Sequence, residues 1–117
     1  DACGDELTVW SGNDDLTVPL LSLGAKGVIS VLSNVRPKRT LQMVRACQDG
    51  DYAAAGRMQV ALTPLIDALF SEINPIPVKQ ALSLMGIPAG LPRLPLTPLS
   101  ATHLPALEQA LSAAPEP

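Results

Sequence analysis

Gly27-Val28-Ile29-Ser30-Val31-Leu32 decides the fold. The run is apolar almost without a break, and three of its residues are β-branched. A strand with one wet face alternates apolar and polar residues; an unbroken run marks a strand covered on both faces, as in a parallel sheet flanked by helices. Upstream, Glu6-Leu7-Thr8-Val9-Trp10 is short, β-branched and aromatic, and reads as a second strand. Between them, Ser11-Gly12-Asn13-Asp14 is a turn. Asp14 or Asp15 can cap a helix over residues 16–23, with Pro19 tolerated in its first turns. The first third is therefore one βαβ unit. Its strands, at residues 7–10 and 28–32, are expected to be adjacent, parallel and joined by a right-handed helical crossover.

Two strands do not make an independent sheet. The run at 27–32 demands neighbours that this sequence does not supply, and the sequence opens without Met in strand-like residues. The expectation is a piece of a larger α/β protein.

Downstream the pattern turns helical. Residues 39–47 are amphipathic, with Gly50 as a stop. A longer helix is expected over residues 52–70. There Ala54, Met58, Ala61, Leu62, Leu65, Ile66 and Leu69 recur at spacings of three and four, and Pro64 is expected to kink or split it. A third helix covers residues 78–85 before Gly86, and a last one residues 101–112. Leu91-Pro92-Arg93-Leu94-Pro95-Leu96-Thr97-Pro98-Leu99 holds too much proline for a helix and is expected to be extended and packed by its leucines. The tail, residues 114–117, is expected to be disordered.

Apolar residues make up 47% of the chain but only three side chains are aromatic, so burial falls to Leu, Ala, Val, Ile and Pro. A net charge of −3 gives no basic footprint for nucleic acid or an anionic membrane. No apolar run reaches the roughly 20 residues of a membrane span, and no signal peptide is visible. Cys3 and Cys47 match no metal spacing and are read as free thiols in a reducing cytoplasm.

Chemistry-bearing residues are few. His103 is expected at the surface, and Tyr52 is expected to pack rather than react. Lys26, Lys38 and Lys79 are the candidate Schiff-base amines, but such an amine needs a desolvated pocket. Lys26 and Lys38 fall in loops, and Lys79 opens a helix. The turn at residues 11–15 follows a strand and opens a helix, where the loops of a barrel gather at its catalytic face. Its backbone N–H groups could hold an anion, although an ordinary βα turn fits the residues better.

Four segments in register carry a resemblance. They are Trp10-Ser11-Gly12-Asn13-Asp14, Leu23-Gly24-Ala25-Lys26-Gly27-Val28-Ile29-Ser30-Val31 with Asn34-Val35, Asn74-Pro75-Ile76-Pro77-Val78-Lys79, and Arg93-Leu94-Pro95-Leu96-Thr97-Pro98-Leu99. In order and spacing they resemble the C-terminal part of the dihydrodipicolinate synthases. The resemblance implies strands seven and eight of a (β/α)8 TIM barrel at residues 1–37, then a C-terminal helical extension at 38–117. It implies a lyase of lysine (diaminopimelate) biosynthesis that condenses pyruvate with aspartate semialdehyde to 4-hydroxy-tetrahydrodipicolinate, without cofactor or metal. The complete enzyme would be a homo-oligomer, a tetramer by the resemblance. The family's Schiff-base lysine would lie on an upstream barrel segment, so no catalytic residue is carried over to this chain, which alone is expected to be inactive. Ile29 matches an isoleucine that lines the pyruvate pocket and contacts pyruvate through its backbone. Gly12 matches a glycine at the pocket rim. Asn13 departs from the family's Asp, which keeps open a sister pyruvate-dependent aldolase resembling N-acetylneuraminate lyase. A further alternative is a non-catalytic fragment that only binds partners.

Overall fold

The computed structural model describes residues 4–116, the side chain of Asp5 excepted, so Cys3 lies outside the described residues. The two strand-like segments meet in a single parallel bridge between Ser11 and Val28. Ser11 N–H donates to the Gly27 carbonyl at 2.9 Å, Ile29 N–H to Ser11 at 2.8 Å, and Lys26 N–H to Val9 at 2.9 Å. One residue bonding to two residues of its partner is the parallel pattern, so the expected parallel pairing is found and a hairpin is excluded. The connection runs through a 3-10 turn at Asp14–Leu16 and then α1, Thr17–Ser22.

The strands are shorter than the sequence suggests. Gly4–Glu6 forms a 3-10 turn at one end, and Leu32–Asn34 forms another at the other. Nor is the decisive run covered on both faces. Ile29 is 71% exposed, and Leu7, Val9 and Trp10 are also exposed. The physical reason is that each strand has one neighbour among the described residues, so no layer lies over the outer face.

The helical part closes more fully. It comprises α2 (Pro37–Gln48), α3 (Tyr52–Leu69), α4 (Ile76–Leu84) and α5 (Leu104–Ala113). Pro37 starts α2 from its first turn, where a missing N–H costs little. Asp51 caps α3, its side chain accepting from Ala54 N–H at 2.9 Å. Gly50 and Gly86 sit just past helix ends at φ 81° and 79°, a conformation that glycine adopts without strain. Pro64 does not split α3, which stays one helix. Pro64 and Val60, whose carbonyl loses its donor, are both exposed, so water can replace the missing bond. Met43, Leu62, Leu65, Leu69, Val78 and Leu107 form the centre of the core, joined by Leu32 and Val35 from the preceding segment.

Two expectations fail at the C-terminal end. The extended segment is not packed by all its leucines: Leu99 touches the core, but Leu91 and Leu94 are exposed. Polar ties hold the segment instead, through Lys79 Nζ on the Ala89 carbonyl and Glu72 Oε1 on Ser100 N–H. Residues 114–116 are docked rather than free, and Pro117 lies outside the described residues. Buried Arg36 donates from Nε to the Ala114 carbonyl and from Nη2 to the Leu111 carbonyl at 2.7 Å. Glu116 Oε1 accepts from Lys38 N–H at 2.6 Å, placing a carboxylate on the first turn of α2, where the helix dipole favours it. Burial lowers the Arg36 pKa from its ordinary value, and the Glu116 charge opposes that shift.

Candidate functional site

The loop after the first strand and the end of the second strand face one cleft of about 670 Å³. Gly12 and Ile29, the two residues singled out in the sequence, both line it. Ser30, Val31 and Asn34 continue that wall, and Asn74, Pro75 and Lys79 close the far side from the start of α4. Ile29 N–H is spent on the bridge to Ser11, which leaves its side chain and carbonyl for other uses. A Cβ built on Gly12 would touch nothing within 4 Å, so the rim there is open.

The loop is braced from beneath. Ser11 is fully buried, and its Oγ donates to the Asn13 carbonyl at 2.7 Å and accepts from Asn13 N–H at 3.2 Å. Asp14 does not cap the helix that follows it. Its side chain crosses to the second strand's end, where Oδ2 accepts from Val31 N–H at 2.9 Å and Leu32 N–H at 3.0 Å. Its carbonyl accepts from Thr17 Oγ1 at 2.9 Å and Gln59 Nε2 at 3.1 Å. Asn13 borders a smaller pocket with Asp15, Ile66, Asp67 and Phe70, which adjoins the cleft of Gly12 and Ile29 at Phe70.

None of the three lysines has the setting of an activated amine. Lys26 and Lys38 are exposed, and Lys79, half-buried in the cleft wall, donates to the Ala89 carbonyl. Tyr52 opens α3 and donates through its hydroxyl to the Leu21 carbonyl at 3.3 Å, a packing role. Cys47 is buried, and burial pushes its thiol pKa up. Among the described residues no three His, Cys, Asp or Glu side chains are grouped to hold a metal ion. Among those residues, too, no helix is long and apolar enough to cross a membrane.

One constellation escaped the sequence. His103 Nδ1 lies 2.8 Å from Glu72 Oε1 and 3.0 Å from Ser100 Oγ. Ser, His and Glu together invite comparison with a hydrolytic triad, but a triad uses both ring nitrogens, one for the hydroxyl and one for the carboxylate. Here both contacts fall on Nδ1, and Glu72 also takes the Ser100 N–H at 3.0 Å. The cluster is a clasp between the loop before α4 and the start of α5. Hydrogen bonds from Ser100 and then His103 hold the Glu72 carboxyl at a pKa of about 2. The partners are 28 and 31 residues apart, and no local pattern announces them.

The comparisons with known proteins agree with one another. The model of the dihydrodipicolinate synthetase family matches residues 1–114. The 4-hydroxy-tetrahydrodipicolinate synthase of Acetivibrio thermocellus is 49% identical over 109 residues, covering 93% of this chain and 37% of that protein. The crystal structure of dihydrodipicolinate synthase from Thermotoga maritima superposes with a TM-score of 0.89 at 44% identity, over 95% of this chain and 38% of that one. A chloride-inhibited dihydrodipicolinate synthase from Acinetobacter baumannii, complexed with pyruvate, gives a TM-score of 0.90 at 39% identity, over 97% of this chain and 39% of that one. The chain thus spans well under half the length of the relatives that it matches.

Proposed function

The chain belongs to the dihydrodipicolinate synthetase family, and on that premise we propose that it forms part of a cytoplasmic lyase that condenses pyruvate with aspartate semialdehyde to 4-hydroxy-tetrahydrodipicolinate. In this reading residues 1–37 are the last two strands, seven and eight, of a (β/α)8 barrel, and residues 38–117 are its helical extension. The Schiff-base lysine lies outside these residues, and the complete enzyme is a homo-oligomer. The observation that carries the proposal is the meeting of Gly12 and Ile29 in one cleft at the end of a parallel strand pair. Barrel enzymes place their chemistry at that end of the strands. Because Ile29 N–H is occupied, any backbone contact from Ile29 to pyruvate falls to its carbonyl. The chemistry needs an amine in a desolvated pocket, whereas Lys26 and Lys38 are exposed and Lys79 is tied to the Ala89 carbonyl.

Two features favour this reading over its rivals. Asn13 keeps a sister aldolase in view, but the relatives from Acetivibrio thermocellus and Methanocaldococcus jannaschii, 49% and 50% identical, are 4-hydroxy-tetrahydrodipicolinate synthases. A free-standing helical binding module has no use for a parallel strand pair with Leu7, Val9, Trp10 and Ile29 exposed on it. The test is trapping with pyruvate and borohydride. The 117-residue chain should remain unmodified, and the complete enzyme should carry the adduct on a lysine outside it. A stable adduct on Lys26, Lys38 or Lys79 would overturn the proposal. In the complete enzyme, Ile29→Phe should raise the KM for pyruvate; unchanged pyruvate kinetics in a folded variant would make Ile29 ordinary packing.

A further inference from the structure

We infer that Asp14 is the positioning residue of the pyruvate pocket: its carboxylate fixes the wall carrying Ile29 against the rim carrying Gly12. The inference rests on the proposed function and assigns a role to a residue that does not itself line the cleft.

The wall needs such a device. After Ile29 the chain leaves the strand register and enters the 3-10 turn Leu32–Asn34. The N–H groups of Val31 and Leu32 stand at the start of that turn, where no carbonyl of the turn reaches them. Asp14 Oδ2 takes both, at 2.9 and 3.0 Å, from 17 and 18 residues away. A charged acceptor makes these stronger than ordinary amide bonds. Asp14 is 1% exposed, so water does not compete for them. Its own backbone is held by Thr17 Oγ1 and Gln59 Nε2 on its carbonyl, and Gln59 Oε1 also accepts from Val18 N–H at 3.3 Å. The carboxylate is therefore aimed by α1 and α3 together.

The consequence for the cleft is geometric. Rim and wall are joined at two points, the strand bonds at Ser11 and the carboxylate at Asp14. Val31, held by Asp14, lines the same cleft as Gly12 and Ile29. With the strand bonds alone the wall can pivot beyond Ile29; with the carboxylate it cannot. A pocket for a three-carbon keto acid depends on such placement, since displacements on the order of 1 Å cost large factors in rate.

The experiment compares variants of the complete enzyme by separate KM values for the two substrates, kcat and thermal unfolding. Asp14→Asn keeps one oxygen for the two N–H groups and puts its NH2 where Oδ1 has no partner. It should raise the pyruvate KM roughly threefold, and Asp14→Ala roughly tenfold, with the KM for aspartate semialdehyde changed by less than about twofold. Leu107→Ala supplies the comparison: it opens the helical core without touching the cleft lining or the Asp14 bonds, so it should lower Tm and leave the pyruvate KM alone. If the Asp14 variants behave like Leu107→Ala, losing Tm at unchanged pyruvate KM, Asp14 only supports the fold and the inference fails. Should Asp14→Ala not fold, Asp14→Asn decides. A wild-type complete enzyme that does not turn over pyruvate would defeat the proposed function itself. An active wild type with indifferent Asp14 variants would defeat this inference alone.

Discussion

Residues 37–116 supply most of a closed core, which Leu32 and Val35 complete, whereas the strand-like part of residues 4–36 leaves an apolar face open. In the helical part, Met43, Leu62, Leu65, Leu69 and Leu107 are at most 1% exposed. In the strand part, Ile29 is 71% and Leu7 61% exposed. Both regions are rich in apolar residues, so composition does not explain the contrast. A helix satisfies its backbone internally and needs only one stripe covered, which a few neighbouring helices supply. A parallel strand needs partners on both edges and layers on both faces. The four helices α2–α5, with Leu32 and Val35, meet the first requirement; the second is unmet among the described residues, in keeping with relatives more than twice as long.

Four measurements sharpen or break that contrast. The largest effect belongs to the closed core. Leu69→Ala should cost about 3 kcal/mol in denaturant unfolding, within the usual range for a buried leucine. Ile29→Ala in the same chain should cost under about 0.5 kcal/mol, as exposed substitutions do. Equal costs would mean that the strand face is covered after all. In the complete enzyme the Ile29 cost should rise toward that of Leu69.

Arg36→Met comes next. It strips donors from the carbonyls of Val35, Leu111 and Ala114, all in buried residues, and should cost about 2 kcal/mol. Protease should then trim the C-terminal tail faster than in the wild type. A tail as protected as before would show that Glu116 on Lys38 N–H suffices to hold it.

Gly27→Ala probes the strand pair with a smaller expected effect. A Cβ there would lie 2.5 Å from the Trp10 ring, so the half-exposed indole must move. Stability should fall by about 1 kcal/mol, and the emission of the single tryptophan should shift. Unchanged emission would show that the ring does not rest on Gly27.

The mildest effect concerns Glu72. Its carboxyl is held at about 2, below the ordinary 4.5. A depressed carboxyl contributes stability that is fully present above about 4.5 and is lost as pH falls toward 2. Glu72→Gln should therefore be less stable than wild type at neutral pH, with the gap closing in acid over that window. A gap that persists to the bottom of the window would show that the charge is not what holds Ser100 and His103.

The sequence by itself determined the helices and the parallel sense of the strand pair. Each is announced by residues close in the chain: spacings of three and four in α3, glycine after α2 and α4, and a β-branched run at 27–32. Gly12 and Ile29, which meet in the cleft, are singled out by the resemblance of four segments to a family, not by any local pattern. Tertiary structure alone decided four other matters. Asp14 could have capped its own helix by its position, but the unbonded N–H groups of Val31 and Leu32 recruited it across the fold. Glu72 found His103, and Arg36 found the tail, over separations of 31 and 78 residues. The exposure of Ile29 depended on which neighbours the strand has. Backbone hydrogen bonding within a helix or a turn repeats over a few residues and so leaves a period or a stop in the sequence. A polar tie between distant segments satisfies donors that only the assembled fold brings together, and it leaves no such trace.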